Sequence, residues 1–272
     1  MVPTDLRKIA EGWTSELFEI SDTTVLKLYR SGFEGVGRVE FEKTRYLQEF
    51  TPLVPRVFEL LEVQGRSGYT MERIAGRPLG AAPELGDVVI ARLLVDTQRH
   101  IRAWPTNALF PPVQERIAPR LFGARAALGA LAERALALLA TPCGAAPALC
   151  HGDYHPGNLL LAPGGVRVID WNGAFTGPLE AEVAKSLLLM VCAPPTLAWG
   201  EALHGRGRAI ARCYLQELRG ARLVDDGALD RWLHVRLAEF LALPVPALHA
   251  TLRPLAARWA ERETGVAEDL WA

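Results

Sequence analysis

The sequence predicts an α+β protein with two lobes, on three observations. Its 272 residues exceed the roughly 150 of a typical single domain, so the chain has room for one large domain or two lobes. The first 75 residues are rich in short β-branched and aromatic runs, whereas the pattern from residue 85 onward is mainly helical. Half of the residues are hydrophobic, which is enough for a sizeable core. We therefore expect a strand-rich lobe over residues 1–75 and a larger helical lobe over residues 76–272.

The smaller lobe is predicted to contain two hairpins and one helix. The predicted hairpin strands cover residues 17–20 and 24–29, and then 57–63 and 69–74. Between the hairpins, a glycine-rich loop leads to a helix predicted over 37–50, whose apolar residues fall on one side. Pro52 and Pro55 end that helix. The boundary between the lobes is expected near Gly76-Arg77-Pro78.

The larger lobe is predicted to be helical, with one β island. The predicted helices cover residues 120–140, 179–192, 199–218, 228–242 and 247–264. The island runs from Leu159 to Val168 and predicts a hairpin with Gly164 near its tip.

Composition excludes several classes of function. Thirty basic against 31 acidic residues give a net charge of −1 with no basic block, so nucleic acid is not an expected partner. No apolar run reaches the length of a membrane span, and the N-terminus lacks the apolar stretch of a signal peptide, so we expect no membrane partner and a cytoplasmic location. The four cysteines have no paired short spacing, which predicts reduced thiols. The sequence leaves the oligomeric state open.

The segment from His151 to Asn158, together with Asp170 after the hairpin, is the most informative part of the chain. In a hairpin symmetric about Gly164, Asn158 and Asp170 lie opposite each other, with Cα atoms about 4.5–5.5 Å apart. An amide oxygen and a carboxylate are the hard-oxygen pair that suits Mg²⁺. The hairpin therefore predicts a magnesium site.

Asp153 precedes Asn158 by five residues in a loop that contains Gly152, Pro156 and Gly157. A rigid turn of this kind is expected to hold the Asp153 carboxylate near the metal. The spacing His-x-Asp-x-x-x-x-Asn is the one used by kinase catalytic loops, in which the aspartate orients or accepts the hydroxyl proton and the asparagine binds metal.

Lys27 is the second candidate site residue. Both faces of its strand are apolar, so the lysine is expected to be buried and to need an anionic partner. The partner is either a nucleotide phosphate or a carboxylate of the following helix, where Glu40 and Glu42 are both available.

A different class of function is a metal-dependent phosphoester hydrolase. In that interpretation, His151, Asp153 and His155 supply ligands to a transition metal, with Asp170 as a further ligand. It gives no role to Lys27.

These motifs resemble those of the aminoglycoside phosphotransferase and choline kinase group, which are small-molecule kinases with the protein-kinase-like fold. The match is strongest from His151 to Asn158 and from Val168 to Trp171, which are similar to the His-Gly-Asp-x-His-x-x-Asn and Ile-Asp-Trp elements of the group. Further resemblance lies in Glu11 to Glu16 as a nucleotide loop, in Val25-Leu26-Lys27 as the lysine strand, and in residues 71–76 as a hinge between the lobes. It covers about residues 9 to 192.

The resemblance implies a role for each matching residue. Asp153 is expected to be the catalytic base, and Asn158 and Asp170 are expected to bind Mg²⁺. Lys27, oriented by Glu40, is expected to hold the α and β phosphates of ATP. The remaining nucleotide contacts come from Gly12 and Ser15 in the loop, the carbonyl of Glu72 and the amide of Ile74, and His151 is expected to be structural.

Three departures from the pattern of the group concern the site. The nucleotide loop has a single glycine, Gly12, beside the bulky Trp13. Asn172 stands where an acidic residue is usual after the metal aspartate. Glu182 replaces the aspartate that braces the catalytic loop, and its longer side chain is expected to reach the same place.

The predicted function is ATP- and Mg²⁺-dependent phosphoryl transfer to a hydroxyl group of a small molecule. Residues 171–272 hold 12 acidic and 11 basic residues, a balance that does not favour a polycationic aminoglycoside over a sugar or amino-alcohol metabolite. The alternative on the same fold is a catalytically silent nucleotide-binding regulatory module.

Overall fold

The computed structural model describes residues 6–271 except 142–145, 193, 195–202, 204 and 263. Within these residues a strand-rich region precedes a mainly helical one, so the predicted α+β class is confirmed. No described helix is long and apolar enough to cross a membrane. Of the cysteines, Cys150, Cys192 and Cys213 are free thiols, whereas Cys143 lies outside the described residues.

The first region is a five-stranded antiparallel sheet with the strand order β1-β2-β3-β5-β4. Its strands are β1 (Arg7–Glu11), β2 (Ser15–Glu19), β3 (Thr24–Tyr29), β4 (Val57–Val63) and β5 (Arg66–Glu72). Both predicted hairpins are present, but the second strand of the later one is Arg66–Glu72 instead of the predicted 69–74, because Val63 already pairs with Arg66. The pattern does not predict β1, because its sequence Arg-Lys-Ile-Ala-Glu is mostly charged and exposed. β3 lies at the centre of the sheet and its last five residues are buried, as the apolar character of both its faces predicts.

Helix α1 (Glu34–Leu47) packs against this sheet and begins and ends three residues earlier than the predicted 37–50. Beyond Leu47 the backbone tightens, and the Phe50 N–H donates to the carbonyl of Leu47 at 3.0 Å. The side chain of Gln48 accepts a hydrogen bond from the N–H of Val57 at 2.7 Å and so links the end of the helix to β4. Val39 and Phe50 are each about half exposed whereas Leu47 is buried, so the apolar residues expected on one side of this helix do not all face the core.

The second region is built mainly of helices. They are α2 (Asp87–Arg102), α3 (Val113–Gly123), α4 (Arg125–Leu128), α5 (Ala130–Ala140), α6 (Leu179–Cys192), α7 (Gly207–Gly220), α8 (Asp226–Leu241), α9 (Pro246–Trp259) and α10 (Val266–Asp269). The helical character predicted over 120–140 is confirmed, but it is divided among the end of α3, α4 and α5. Gly129 has φ 53° and ψ −129°, which an α-helix does not contain, and it separates α4 from α5.

The observed bounds of three other predicted helices differ from the expected ones. The helix predicted over 228–242 is α8, Asp226–Leu241. The helix predicted over 199–218 begins at Gly207, and residues 199–202 and 204 of that prediction lie outside the described part of the chain. The helix predicted over 247–264 ends at Trp259. The prediction over 179–192 is confirmed.

Short strands complete the second region. They are β6 (Arg77–Pro78), β7 (Ala148–Cys150), β8 (Leu159–Ala162), β9 (Gly165–Val168) and β10 (Phe175–Gly177). Strands β6, β8 and β9 form one sheet and β7 pairs with β10. Because β6, β7 and β10 have two or three residues each, they are too short for the period-2 pattern to predict.

The predicted β8–β9 hairpin is present, but its register corrects one expectation. Ala162 pairs with Gly165, so the turn has two residues and its centre lies between Pro163 and Gly164 instead of on Gly164. Asn158 consequently lies opposite Ile169, whose N–H donates to the Asn158 carbonyl at 3.0 Å. The expectation that Asn158 lies directly opposite Asp170 is wrong by one residue.

The buried apolar residues form two clusters. The larger fills the helical region, and the smaller lies between the sheet and α1, where Phe41 packs on Tyr69. The five-stranded sheet ends at Glu72, and the next strand, β6, pairs with β8 of the second region. A division near residue 76 is consistent with this pairing and stays a prediction.

Candidate active site

A cavity of about 760 Å³ lies between the five-stranded sheet and the helical region. Seven of the nine predicted site residues line it, and they are Gly12, Ser15, Lys27, Glu40, Asp153, Asn158 and Asp170. Glu72 and Ile74 follow Met71, which also lines it. Residues from distant parts of the chain thus meet around one space.

Lys27 lies at the centre of an ion cluster. Its Nζ is 2.8 Å from both carboxylate oxygens of Glu40 and 3.3 Å from Oδ1 of Asp170. Burial by itself lowers the pKa of Lys27, but the carboxylates of Asp170 and Glu40 outweigh that effect and hold the pKa well above its ordinary value. The ammonium is therefore charged at neutral pH. The choice between Glu40 and Glu42 is settled in favour of Glu40.

Two tyrosines surround the buried carboxylate of Glu40. The Tyr29 hydroxyl donates to Glu40 Oε2, and burial together with the Glu40 charge raises the pKa of Tyr29. Tyr69 is buried beside it, and burial with the same charge raises its pKa as well. Both hydroxyls therefore keep their protons. Tyr29 follows Lys27 by two residues, so the alternation of β3 places the two side chains on one face.

The loop after β7 requires glycine at one position. Gly152 has φ 78°, and a Cβ placed on it would lie 2.0 Å from the carbonyl oxygen of Gly173. No L-residue fits that space. The backbone of the 151–158 loop consequently lies directly against the 171–173 turn.

His151 has a structural role. Its Nε2 donates to the carbonyl of Ile169 at 2.9 Å, and its Nδ1 accepts from the N–H of Asp153 at 3.2 Å. Burial lowers the pKa of His151, so the ring is neutral and has one donor and one acceptor nitrogen, as these two bonds require. With both nitrogens engaged, His151 has no lone pair for a metal ion. Among the described residues, no group of three or more His, Cys, Asp or Glu side chains forms a metal site, which counts against the hydrolase alternative.

The carboxylate of Asp153 is held by three side chains. Lys185 Nζ lies 3.0 Å from its Oδ1, whereas Asn158 Nδ2 donates to its Oδ2 at 3.1 Å and His155 Nε2 lies 3.6 Å from the same oxygen. Burial by itself raises the pKa of Asp153, but the Lys185 ammonium and the His155 ring lower it by a larger amount. The pKa of Asp153 is therefore well below its ordinary value. Asp153 is therefore ionised at neutral pH.

Asn158 and Asp170 supply an oxygen donor pair that faces the cavity. The amide nitrogen of Asn158 also donates to the backbone carbonyl of Asp153 at 2.9 Å, which leaves its amide oxygen for another partner. Asp170 has φ 68° and ψ 62°, a left-handed conformation that Asp tolerates better than most residues, at the end of the strand that brings it beside Lys27. An amide oxygen and a carboxylate with room for water and phosphate oxygens fit Mg²⁺.

Glu182 braces the 151–158 loop from behind. Its Oε1 accepts from the N–H of Gly152 at 2.6 Å, and its Oε2 accepts from Gln98 at 3.2 Å. The Tyr214 hydroxyl then donates to the Oε1 of Gln98 at 2.5 Å. The longer side chain of Glu182 therefore reaches the loop, as the sequence leads us to expect.

Two cations hold the turn that follows Asp170. Lys43 Nζ donates to the carbonyls of Asn172 at 2.9 Å and Ala174 at 2.7 Å, and Arg116 Nη1 donates to the same two oxygens at 3.3 and 3.2 Å. Burial and the charge of Arg116 lower the pKa of Lys43 to about 7. Burial and the charge of Arg120 lower the pKa of Arg116 to about 10. Asn172, which stands where an acidic residue is usual, therefore accepts these hydrogen bonds through its backbone carbonyl.

Sequence reasoning missed Lys185, Lys43 and Arg116. Lys185 follows Glu182 by three residues in α6, so helical spacing already places both on the face that meets the catalytic loop. Lys43 follows Glu40 by three residues in α1 and carries the same signal. Arg116 lies on α3, ahead of the helical stretch predicted from residue 120, and no local pattern marks it.

The segment expected to bind the base connects the two regions. The Glu72 carboxylate forms a bidentate salt bridge with Arg167 of β9, with N–O distances of 2.6 and 2.9 Å. This salt bridge lowers the pKa of Glu72. The Arg73 N–H donates to the carbonyl of Thr23 at 2.8 Å. The side chain of Glu72 is thereby directed to β9, and the expected nucleotide contacts of this segment are those of the Glu72 carbonyl and the Ile74 amide.

The chain is similar to proteins of known activity over part or most of its length. It is 41% identical over 69 residues to a methylthioribose kinase of Pectobacterium atrosepticum, and 40% identical over 55 residues to a methylthioribose kinase of Erwinia tasmaniensis. These matches cover 24% and 19% of this chain but only 17% and 14% of the relatives, so the chain matches less than a fifth of their length.

Solved structures resemble the whole fold. A thermostable mutant of aminoglycoside phosphotransferase APH(4)-Ia, in a ternary complex with AMP-PNP and hygromycin B, matches with a TM-score of 0.65 and 20% identity over 98% of this chain and 93% of that one. An aminoglycoside-3'-phosphotransferase of type VIII matches with a TM-score of 0.63 and 23% identity over 86% and 92% of the two chains. A choline kinase of Cryptosporidium parvum Iowa II matches with a TM-score of 0.62 and 13% identity over 98% and 91%.

At these identities the solved structures establish the fold alone, and they confirm the expected kinase-like architecture. The family model of the phosphotransferase enzyme family matches residues 5–222, which include every residue of the ion cluster and the catalytic loop. The chain therefore belongs to the phosphotransferase enzyme family.

Proposed function

We propose that this chain transfers the terminal phosphoryl group of ATP to a hydroxyl group of a small molecule, with Mg²⁺. The observation that carries the proposal is the convergence of Lys27, Asp153, Asn158 and Asp170 on one cavity between the lobes. A charged lysine, an ionised aspartate and an oxygen donor pair are the groups that phosphoryl transfer to an alcohol needs. Since the donor is ATP, a cytoplasmic location belongs to the same proposal.

The nucleotide is proposed to lie under the five-stranded sheet. The Lys27 ammonium neutralises charge on the α and β phosphates, while Glu40 fixes its position. Gly12 and Ser15 belong to the loop that covers the phosphates, and the Ser15 carbonyl accepts from the Gly12 N–H at 2.8 Å. The Glu72 carbonyl and the Ile74 amide bind the adenine. Among the structural relatives, one carries AMP-PNP and another carries ADP.

Mg²⁺ is proposed to bind between Asn158 and Asp170. The donor set fits, because the amide oxygen of Asn158 and the carboxylate of Asp170 line the same cavity as Lys27. When bound, the ion neutralises charge on the phosphates as phosphoryl transfer proceeds.

Asp153 is proposed to orient the acceptor. Its ionised carboxylate accepts a hydrogen bond from the acceptor hydroxyl and aligns that oxygen with the terminal phosphorus. The new bond joins the acceptor oxygen to phosphorus, the bond from phosphorus to the bridging oxygen of ADP breaks, and the hydroxyl proton passes to an Asp153 carboxylate oxygen. Lys185 keeps the carboxylate in place and ionised.

For the acceptor, we propose only a chemical class, a small molecule with a hydroxyl group. The curated relatives are methylthioribose kinases and the structural relatives act on or bind compounds that include hygromycin B, so sugars, amino alcohols and aminoglycosides are the first compounds to test.

Two measurements separate this function from its alternatives. A thermal-shift titration with Mg²⁺ and ATP tests nucleotide binding, and a coupled assay of ADP release across a panel of hydroxyl compounds tests transfer. We expect a shift with nucleotide and ADP release that depends on one acceptor class. A shift with no ADP release from any acceptor would indicate the silent nucleotide-binding module, and release of phosphate from phosphoesters without ATP would indicate the hydrolase.

A further inference from the structure

The part of the cavity on the helical side of Asp153 is lined by cationic and apolar side chains. Its cationic side chains are Arg116, Arg120 and Lys185, and its remaining wall is apolar. We propose that the acceptor carries an anionic group, a carboxylate or a phosphate, which Arg116 and Arg120 bind, and an apolar part that packs on the wall opposite them. This inference rests on the proposed function and names the class of its acceptor.

The two arginines are placed by helix α3. They are four residues apart, so they lie on one face of the helix, and both line the cavity. Arg116 is anchored by the Asn172 and Ala174 carbonyls, in the turn that follows Asp170. This anchor uses one of its terminal nitrogens and keeps the guanidinium beside the catalytic groups.

The guanidinium of Arg116 has no carboxylate partner. Among the described residues, none of the ion pairs within 4 Å includes Arg116, although its side chain is partly buried. Its hydrogen bonds go to two neutral carbonyls, and the carboxylates whose charge reaches it, Glu239 and Asp153, are already paired with other cations. A partly buried guanidinium in this setting is further stabilised by an anion that a ligand brings.

The carboxylates near this lining are already engaged. Asp153 faces Lys185, and Asp170 faces Lys27. Glu239 lies behind the arginines, buried, with one oxygen 2.6 Å from Arg120 and the other 2.7 Å from Arg236. A cationic acceptor would therefore meet three like charges and no free carboxylate among the described lining residues.

The apolar wall is formed by α6, by α8 and by the start of α9. Its lining residues are Leu189, Phe240, Leu243, Val245 and Leu248. Lys185 lies over the Phe240 ring, with Nζ 5.9 Å from the ring centroid, so the wall adjoins the group that holds Asp153. An acceptor with an apolar segment between its hydroxyl and its anionic group fits this order of groups.

The test uses three probes with one carbon skeleton: ω-hydroxyhexanoate, the corresponding diol and the corresponding amino alcohol. Their dissociation constants are measured by calorimetry on the full chain with Mg²⁺ and AMP-PNP bound. We expect the hydroxy acid to bind at least about tenfold more tightly than the amino alcohol, since a charge-assisted hydrogen bond contributes at least that factor. The phosphate ester of the diol, as a fourth probe, distinguishes a phosphate from a carboxylate as the preferred anion.

Variants assign the preference to the arginines. In Arg116→Gln/Arg120→Gln, the preference for the acid is expected to disappear. Lys43 still donates to the Asn172 and Ala174 carbonyls in this variant, and its AMP-PNP affinity is measured to check that the turn after Asp170 keeps its place. Arg125→Gln removes an exposed arginine that pairs with Glu133 outside the cavity, and it is expected to keep the preference. The thermal midpoint of each variant with AMP-PNP checks that it is folded.

Three results would overturn the inference. The first is a hydroxy acid that binds no better than the amino alcohol, including the case in which neither binds, and the second is a preference for the acid that survives in the double variant. The third is a double variant that no longer binds AMP-PNP, which would assign the arginines to the nucleotide. None of these removes the proposed function, which fails separately if the wild-type chain binds no nucleotide or transfers no phosphoryl group to any hydroxyl.

Discussion

The Nζ of Lys27 lies 2.8 Å from both carboxylate oxygens of Glu40, and 3.3 Å from Oδ1 of Asp170. One ammonium therefore joins the central strand of the sheet, the helix behind it and the loop that follows β9. Lys27 and Glu40 are buried, and the contacts of Lys27 to Glu40 and Asp170 are made before any ligand is bound, so the nucleotide side of the cavity is already assembled.

This relationship predicts which glutamate matters for nucleotide binding. Glu40→Gln removes the carboxylate that fixes Lys27, and Lys27→Met removes the ammonium itself. We expect each to weaken AMP-PNP binding about tenfold or more, because a charge-assisted contact to phosphate is lost or misplaced. Glu42→Gln, two residues along the same helix, is the matched control and is expected to bind AMP-PNP as the wild type does. Equal effects at the two glutamates would contradict the assignment of Glu40.

Gly152 predicts a large effect on stability from a single methyl group. Gly152→Ala places a Cβ 2.0 Å from the Gly173 carbonyl oxygen and also forces a left-handed φ on alanine. We expect a loss of about 3 kcal/mol or more in the free energy of unfolding, measured with urea. Gly164→Ala is the control, since Gly164 also has positive φ but no atom within 4 Å of the added Cβ, and about 1 kcal/mol is expected there. Similar losses at both sites would show that the contact between the two loops is unimportant.

Lys43 predicts a pH-dependent contribution to stability. Its pKa is about 7 in the folded chain and 10.5 as an ordinary lysine, so between these values the unfolded chain binds more protons. By linkage, the contribution of Lys43 to stability increases as the pH rises from about 7 towards 10.5 and is smallest below about 7. A neutral amine retains two N–H bonds, enough for the carbonyls of Asn172 and Ala174.

The measurement compares wild type and Lys43→Met by urea unfolding at two pH values near the ends of that window. We expect the stability of the wild type, relative to the variant, to be greater at about pH 9 than at about pH 7. Groups other than Lys43 titrate in both proteins and cancel in the difference. A difference that is constant with pH, or that shrinks as the pH rises, would contradict the lowered pKa.

Lys185 predicts an effect on turnover without an effect on nucleotide binding. Lys185→Met removes the ammonium 3.0 Å from Asp153 Oδ1, so that only the contacts of Asn158 and His155 to Oδ2 still hold the carboxylate. We expect kcat to fall about tenfold or more, while the affinity for AMP-PNP changes little because Lys185 lies on the acceptor side. Lys185→Arg is expected to recover part of the loss. A variant with normal kcat would remove Lys185 from the positioning of Asp153.

The order of the two regions and most of the candidate site residues could be predicted from the sequence. The apolar residues on both faces of the strand around Lys27 predict its burial and its anionic partner, because an unpaired buried ammonium is costly. The segment from His151 to Asn158 predicts a catalytic loop, since its residues are neighbours in the chain and their spacing fixes their arrangement.

What the sequence does not predict depends on contacts between distant elements. The pairing of Asn158 with Ile169 depends on whether the hairpin turn centres on a residue or on a bond, and Pro163-Gly164 permits both interpretations. The break at Gly129 is hidden within an Ala- and Leu-rich pattern that is otherwise helical. Arg116 approaches Asn172 only through the packing of α3 against the rest of the helical region, which no local spacing encodes.

The central claim is that Asp153 acts on the acceptor hydroxyl and not on the nucleotide. The measurement is a paired comparison of wild type and Asp153→Asn, with AMP-PNP affinity from calorimetry and ADP formation with the best acceptor of the panel. We expect AMP-PNP affinity to stay within about twofold, while ADP formation falls about a thousandfold because a general base is removed. Turnover in Asp153→Asn within about tenfold of the wild type would contradict the account.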